Sequence, residues 1–244
     1  MGSDTTAGLI VIGNEILSGK VTDTNSAFLA QQLRALGVAL RRIVVIPDEV
    51  DVIADTVRAL YDTVDVLFTS GGIGPTHDDV TVEGVARGLG RRVVRHPALE
   101  GALRDYFKGE VNDAQLKLAD VVEGTDLEYA GNRRFPTFRI GNLYILPGIP
   151  EIFREQFLGL RQRFSSEPFH LRVVYTREVE SAIAAHLNRT LAEFPELMLG
   201  SYPKLNDPEY RVRITLESKD PQYVESALTA LLDLLPPSSV VRTE

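Results

Sequence analysis

The chain has 244 residues, enough for one large domain or two modest ones, and its 44% hydrophobic and 25% charged content suits an ordinary globular protein with a sizeable core. The absence of cysteine excludes thiolate catalysis, disulfides and cysteine-type zinc sites, and the net charge of −8 argues against nucleic-acid binding through a basic surface. No apolar run approaches the roughly 20 residues that span a membrane, and Met1 to Thr6 lacks the basic and apolar regions of a signal peptide, so a cytoplasmic protein is expected.

Leu9-Ile10-Val11-Ile12 is a β-rich run ended by Gly13. Asn25 to Leu36 reads as a helix with Phe28, Leu29, Leu33 and Leu36 on one face, Asp23 or Thr24 at its start and Gly37 at its stop. Val38 to Ile46 is a second strand, and Val50 to Tyr61 a helix with Ile53, Val57 and Leu60 in register. Val64 to Phe68 is a third strand and Val80 to Leu89 a third helix. Such alternation predicts an α/β domain with a largely parallel sheet and helices on both faces, that is, three layers. Ligands in such folds bind beyond the carboxyl ends of strands. Gly13-Asn14-Glu15, Pro47-Asp48-Glu49 and Gly71 to Asp79 each follow a strand, so all three are expected along one rim.

After Arg92-Val93-Val94 the pattern changes. Pro97 to Phe107 and Asp113 to Leu118 look helical, and Leu127 to Ile145 looks β-like, with turn signals at Gly131-Asn132 and Gly141-Asn142. Leu143 to Leu146 is a strand ended by Pro147-Gly148-Ile149-Pro150. Glu151 to Phe164 is an amphipathic helix with Ile152, Phe153, Phe157 and Leu160 as its core stripe. Ser165 to Pro168 reads as a linker, which divides the chain into residues 1–166 and 167–244. The second part runs strand, helix, two strands, helix, strand: the βαββαβ order of a small ferredoxin-like α+β module.

The segment with most chemical content is Thr69-Ser70-Gly71-Gly72-Ile73-Gly74-Pro75-Thr76-His77-Asp78-Asp79-Val80-Thr81, between the third strand and third helix. Three glycines let backbone N–H groups approach an anion, and a helix start adds donors and a positive dipole end. Two adjacent carboxylates then stand where a phosphate would sit, which calls for a cation between them; a metal-bridged phosphoanhydride meets that condition. Thr76-x-x-Asp79 equally fits a helix capping box, and spacing alone does not separate the cap from a catalytic or metal role. The segment is neither a Walker A loop nor a dinucleotide fingerprint.

Elsewhere the candidates are less specific. Glu15 and Asp48 are rim carboxylates that either bind a ligand or metal or bond backbone N–H groups. Ser18, Thr22, Thr24, Asn25 and Ser26 suit phosphate or ribose contacts, and equally turns and caps. The four histidines are scattered, no zinc-type spacing exists, and no G-x-S-x-G elbow is present. Arg91-Arg92 and Arg133-Arg134 are basic pairs that reach an acidic ligand or lie on the surface. Ser201-Tyr202-Pro203 reads as a turn that could reach over the site.

Gly13-Asn14-Glu15-Ile16-Leu17-Ser18-Gly19-Lys20 with Asp23-Thr24-Asn25-Ser26 resembles the opening of CinA-like proteins of the MoaB/MogA molybdopterin-binding superfamily. The glycine segment resembles that family's central signature, and Leu146-Pro147-Gly148-Ile149-Pro150 its third motif. Gly200-Ser201-Tyr202-Pro203 and the Tyr210 strand resemble the segment that follows this domain in eukaryotic FAD synthases and in short stand-alone relatives. The resemblance implies a MogA-like fold, a substrate that is a nucleotide or a pterin, and a homodimer or homotrimer; the net charge and the lack of a long apolar run argue against nucleic-acid and membrane partners.

Two chemistries follow from it. In the MogA-type branch, which adenylylates molybdopterin, an Arg-Asp pair usually follows the glycine loop; here Asp78 precedes Asp79. A carboxylate that could grip a cation replaces an arginine that could grip an anion. The resemblance therefore implies the CinA-like branch: a pyrophosphatase dependent on Mg, Mn or Co and acting on FAD or ADP-ribose, with molybdopterin binding as the alternative and a non-catalytic nucleotide sensor as a third. Asp79 and Asp48 match the superfamily's functional aspartates. Substrate contacts are expected from Gly13, Asn14, Glu15, Ser18, Asn25, Ser70, Gly71, Gly72, Gly74, Thr76, Pro147 and Gly148, and metal contacts from Glu15, Asp78 and Asp79. Neither the deamidase domain of longer CinA proteins nor the reductase-like domain of FAD synthases is recognised, so neither activity is expected.

Overall fold

The computed structural model describes residues 5–108, 110–129 and 135–244. The Gly131-Asn132 turn signal and the Arg133-Arg134 pair lie outside the described residues. The chain divides into two compact units, Met1–Ser166 and Glu167–Glu244.

The first unit begins with β1 (Thr6–Ile12), α1 (Asn14–Leu17), α2 (Asn25–Ala35), β2 (Ala39–Ile46), α3 (Val50–Leu60), β3 (Val66–Ser70) and α4 (Thr81–Gly88). It continues with β4 (Val93–Arg95), α5 (Pro97–Tyr106), α6 (Asp113–Lys117), β5 (Asp120–Val122), β6 (Asp126–Glu128), β7 (Thr137–Ile140), β8 (Leu143–Leu146) and α7 (Pro150–Leu160). The main sheet has the order β2-β1-β3-β8-β7-β6. Its first four strands run parallel, and β7 and β6 add antiparallel. β1 lies inside the sheet, which is why it reads as continuous apolar sequence rather than alternating.

Each face of the sheet carries its own core. Leu9, Val11, Phe68, Tyr144 and Leu146 pack under Leu29 and Leu33 of α2 and Phe153 and Phe157 of α7. On the opposite face, Ile10, Ile12, Leu67, Leu143 and Ile145 pack under Ile53 and Val57 of α3 and Val85 of α4. The predicted three-layer α/β arrangement is therefore present. The α2 start is fixed by Asp23, whose carboxylate accepts from the Ser26 N–H at 3.0 Å, and its end by Gly37 at φ 76°. Ile152 was expected in the α7 stripe but is 40% exposed; the fourth core position is Phe164, in the 3₁₀ turn Arg161–Phe164 that follows the helix.

A small sheet of β4 and β5, with α5 and α6, forms a satellite layer over Leu99, Leu103, Ala119 and Val121. The sequence reading did not find β5, a three-residue strand too short to show a period.

The second unit contains β9 (His170–Thr176), α8 (Glu180–Glu193), β10 (Met198–Pro203), β11 (Val212–Ser218), α9 (Pro221–Leu234) and β12 (Val240–Thr243). Its antiparallel sheet has the order β10-β11-β9-β12, the ferredoxin-like arrangement, with Val174, Ile214 and Leu216 packed under Ile183, Leu187, Ala227 and Leu231. Ser201-Tyr202-Pro203 lies in strand β10 and is not a turn.

Close helix packing on the inner face depends on Gly84 of α4. A Cβ there would sit 2.5 Å from the Ile53 Cβ, which is anchored to its backbone and cannot swing away. Gly84→Ala gains about 1 kcal/mol of helix propensity. The overpacking costs about 1–3 kcal/mol and should dominate, giving a net loss in urea unfolding midpoint at unchanged m-value.

Candidate functional site

Strand register sets where the site forms. Ile12 stands beside Ile46, Val11 beside Ser70, and Ser70 beside Leu146, so the four parallel strands end together. The chain segments leaving them make one rim, as expected. Gly13 N–H donates to the Ile46 carbonyl at 3.1 Å and Gly71 N–H to the Leu146 carbonyl at 3.1 Å. A Cβ on Gly148 would stand 3.3 Å from the Gly71 Cα, so the Pro147-Gly148 corner lies against the glycine loop. Asn25, only 4% exposed, ties three of these segments together. Its side-chain amide donates to Ser70 Oγ at 3.0 Å and to the Gly148 carbonyl at 2.9 Å.

The glycine loop is held by one residue of the helix that follows it. Thr81, fully buried, donates its hydroxyl to the Gly71 carbonyl at 2.8 Å and its N–H to the Gly72 carbonyl at 3.0 Å. Both carbonyls therefore face inward. In a planar trans peptide the next N–H points the opposite way, so the Gly72 and Ile73 N–H groups face outward. The N–H groups of Gly72, Ile73 and Gly74 donate to nothing among the described residues. The glycines are obligatory here. Gly71 and Gly72 have φ of 105° and 65°, and a Cβ on either would lie 2.2 Å from the Ile12 carbonyl oxygen or the Thr81 hydroxyl. The amides of the first helical turn were expected to serve the ligand directly, but α4 starts at Thr81 and the N–H of that first residue is consumed by Gly72.

The carboxylates separate. Asp79 Oδ2 accepts from Thr76 N–H at 2.8 Å and from the Thr76 hydroxyl at 2.5 Å, closing a turn ahead of α4 and not a helix cap. The same oxygen lies 2.6 Å from where a Gly74 Cβ would be, so the Asp79 carboxylate rests against the Gly74 backbone. Asp79 lines one cleft with Gly72, Gly74 and Val80; Asp78 lines another with Asn14, Glu15, Ser18 and Asp48. The Asp78 carboxyl is held below its ordinary value, first by the Thr76 hydroxyl, whose single proton it shares with Asp79 Oδ2, then by its own backbone N–H, with Lys117 adding positive charge. Asp48 Oδ2 accepts from Asn14 N–H at 2.7 Å and so fixes the start of α1. Glu15 is not a buried rim residue. It is exposed on α1, and its carboxylate curls back to within 2.6 Å of where a Gly13 Cβ would stand.

The metal set expected from Glu15, Asp78 and Asp79 is thus not assembled. Asp79 and Asp78 line different clefts, and among the described residues no three His, Asp or Glu side chains are gathered to hold an ion. Lys117 was missed by sequence reasoning. It reaches from the end of α6, 41 residues away, to donate its ammonium to the Thr76 carbonyl. No local motif marks it, because only the fold brings α6 to the loop. Arg91 and Arg92 turn away from the rim and bind the Glu123 carbonyl and carboxylate. In the second unit, Ser201 Oγ donates to Glu180 at 2.6 Å, and Tyr202 lies over Gly200 beneath the Arg213 guanidinium. Among the described residues no helix is long and apolar enough to cross a membrane.

Comparison with known proteins gives this architecture a family. Residues 8–164 match the family model described as "Probable molybdopterin binding domain", and residues 168–244 match "FAD synthase, middle domain". A protein of Archaeoglobus fulgidus is 34% identical over 93% of this chain and 96% of its own length. A probable FAD synthase of Caenorhabditis elegans is 30% identical over 94% of this chain, which spans only 50% of that relative. The crystal structure of CinA from Thermoplasma acidophilum, a protein of unknown function, aligns with a TM-score of 0.61 and 28% identity over 66% of this chain and 98% of that one.

Asn25→Ala should test how the rim is held. It deletes both side-chain bonds and leaves the Gly148 carbonyl unserved, so stability should fall by about 1–3 kcal/mol in chemical denaturation. Unchanged stability would mean that Asn25 does not fasten these segments.

Proposed function

The chain belongs to the molybdopterin-binding domain family, and from that premise we propose that it hydrolyses a diphosphate-bridged nucleotide such as FAD or ADP-ribose. The observation that best supports this reading is the row of unpaired N–H groups at Gly72, Ile73 and Gly74, beside the Asp79 carboxylate. Preorganised backbone donors of this kind stabilise charge on phosphoryl oxygens at no reorganisation cost.

In this reading the loop amides hold one phosphate. Asp79, whose Oδ2 is engaged by Thr76, uses Oδ1 to take the proton of an attacking water. The water oxygen bonds to phosphorus, and the bridging oxygen leaves with the bonding pair on the other phosphate. Asp48, with one oxygen on Asn14, and Asn14 and Ser18 beside it, face a ribose hydroxyl. Gly13, Asn25, Ser70, Pro147 and Gly148 shape the rim. Thr76 holds Asp79 in place.

The carboxylates do not form a resident metal cage. They do suit a divalent cation that arrives with the diphosphate, since Mg²⁺ commonly binds through one or two carboxylates plus substrate phosphates. Asp78 and Glu15 are the groups placed to meet it. A bound cation would supply charge neutralisation at the diphosphate. Titration with Mn²⁺ alone should then show no tight site, and titration in the presence of a slowly cleaved diphosphate nucleotide should show one. Tight Mn²⁺ binding by the free protein would contradict delivery with the substrate.

The second reading is molybdopterin binding with adenylylation, and family membership favours it. Chromatography after incubation with FAD or ADP-ribose, with and without Mg²⁺, Mn²⁺ or Co²⁺, separates the two. Release of AMP with FMN or ribose 5-phosphate is the expected result; no cleavage by folded protein, with ATP-dependent adenylylation of molybdopterin, would transfer the conclusion to the second reading. Asp79→Ala should lower kcat/KM for the cleaved nucleotide at least roughly 100-fold, the scale of a lost general base, with its circular dichroism spectrum preserved. Full turnover in that variant removes Asp79 from the chemistry.

A further inference from the structure

The sheet of the second unit ends on one side in β10, which pairs only with β11 among the described residues. Register fixes which of its backbone groups stay open. Lys204 N–H donates to the Arg211 carbonyl, and bonding alternates along an antiparallel pair. Met198, Gly200 and Tyr202 therefore turn their peptide groups to β11, and Leu199 and Ser201 turn theirs to the free edge. Proteins commonly guard such an edge with charge. The other edge strands of the two larger sheets carry it: Arg41 and Arg42 on β2, Asp126 and Glu128 on β6, and Arg242 on β12. The β10 sequence, Met-Leu-Gly-Ser-Tyr-Pro, has no charged residue. Leu199 packs toward the helices, so the opposite face of the strand shows Met198, 41% exposed, and Tyr202, 48% exposed, on either side of Gly200.

We propose that β10 is the seat of a second copy of this chain, with two β10 strands pairing antiparallel about a two-fold axis at Gly200. That register is self-complementary. Leu199 exchanges backbone hydrogen bonds with Ser201 of the second copy, and Ser201 with its Leu199. Gly200 meets Gly200 in a non-hydrogen-bonded pair, where strands come closest and a missing side chain leaves room. Met198 faces Tyr202 of the second copy on each side of the axis, a thioether against an aromatic ring. Tyr202 leans along the sheet over its own Gly200, so both rings point toward the axis. Lys204 comes alongside Glu196 of the second copy, and both are exposed, so the charges at the two ends of the seam are complementary. The ladder also stops itself: Pro203 has no N–H, and the Leu197 N–H already donates to the Phe194 carbonyl at 3.1 Å. On the helix side, Glu180 accepts from the Ser201 hydroxyl, which sets that flank of α8 toward the edge. One turn further along the same flank stands Ala184, small and exposed, which leaves space for the helix of the second copy.

Sedimentation of the full chain over a concentration series should show reversible association into dimers. Met198→Lys should raise the dissociation constant by about tenfold or more, because it sets a charge in the seam. Glu217, the cross-strand neighbour of Met198, suits a lysine there, and circular dichroism checks the fold. Disulfide crosslinking reads the register, since the chain contains no cysteine of its own. Cα atoms in a non-hydrogen-bonded pair stand about 4.5 Å apart, within disulfide reach. Mild oxidation of Met198→Cys mixed with Tyr202→Cys should give a covalent dimer, and either variant alone should give none. A chain that stays monomeric throughout the series, an assembly indifferent to Met198→Lys, or crosslinking no greater in the mixture than in each variant alone overturns the proposal.

Discussion

Thr81 is the residue on which the geometry of the rim depends. Its two donors satisfy the carbonyls of Gly71 and Gly72, and peptide planarity turns the following N–H groups outward. The same contact explains the glycines. Any side chain at position 72 would collide with the Thr81 hydroxyl, and one at position 71 with the Ile12 carbonyl. The loop is then locked to β8 through Gly71 and the Pro147-Gly148 corner, and to α2 through Asn25. A cradle fixed in this way does not have to be ordered when a ligand arrives, which preserves binding free energy that a mobile loop would lose.

Charge around the cradle is finely balanced. Asp79 rests its carboxylate against Gly74, close to the N–H groups that a phosphate would use. An anionic ligand therefore meets a negative charge at short range unless that carboxylate shifts or is offset by a cation. Lys117 is close enough to help hold the Asp78 carboxyl ionised. Placing the cation on a separate helix makes the balance depend on how the satellite layer of α5, α6, β4 and β5 docks on the main sheet. That layer gains its own small core from Leu99, Leu103, Ala119 and Val121, which gives α6 a defined position over the loop.

Most of the frame was legible because its signals are local. The apolar run of β1, the 3.6-residue stripes of α2 and α3, and the stop at Gly37 each follow from neighbours in sequence. The ferredoxin-like order of the second unit was readable for the same reason. Ile152 was misread because the apolar stripe drifts around a helix and passes to Phe164 in the 3₁₀ turn. At the site, the glycine loop and the rim were legible, and the direction of each side chain was not. Asp78 and Asp79 look like a metal pair in sequence, yet the turn closed by Thr76 sends them to different clefts. Lys117 was invisible because its role depends on a contact 41 residues away.

The divergence of the two aspartates bears on what kind of molecule the rim suits. On one side of the loop, Asn14, Glu15, Ser18, Asp48 and Asp78 offer acceptors and hydroxyl partners, with Leu17 and Lys20 beside them. On the other, Ile73, Val82, Val93, Leu118 and Phe138 form an apolar wall in a cleft shared with Lys117, the loop glycines and the carboxylates of Asp79, Glu83 and Asp120. A ligand with a single phosphate and a single head would leave one side unused. A ligand with two unlike heads joined through phosphates would place its bridge at the loop, a sugar-like end against the carboxylates and a ring against the wall. Each side would then contribute to binding according to its own chemistry, and discrimination among nucleotides would come chiefly from the apolar side, since the phosphate bridge is common to them all.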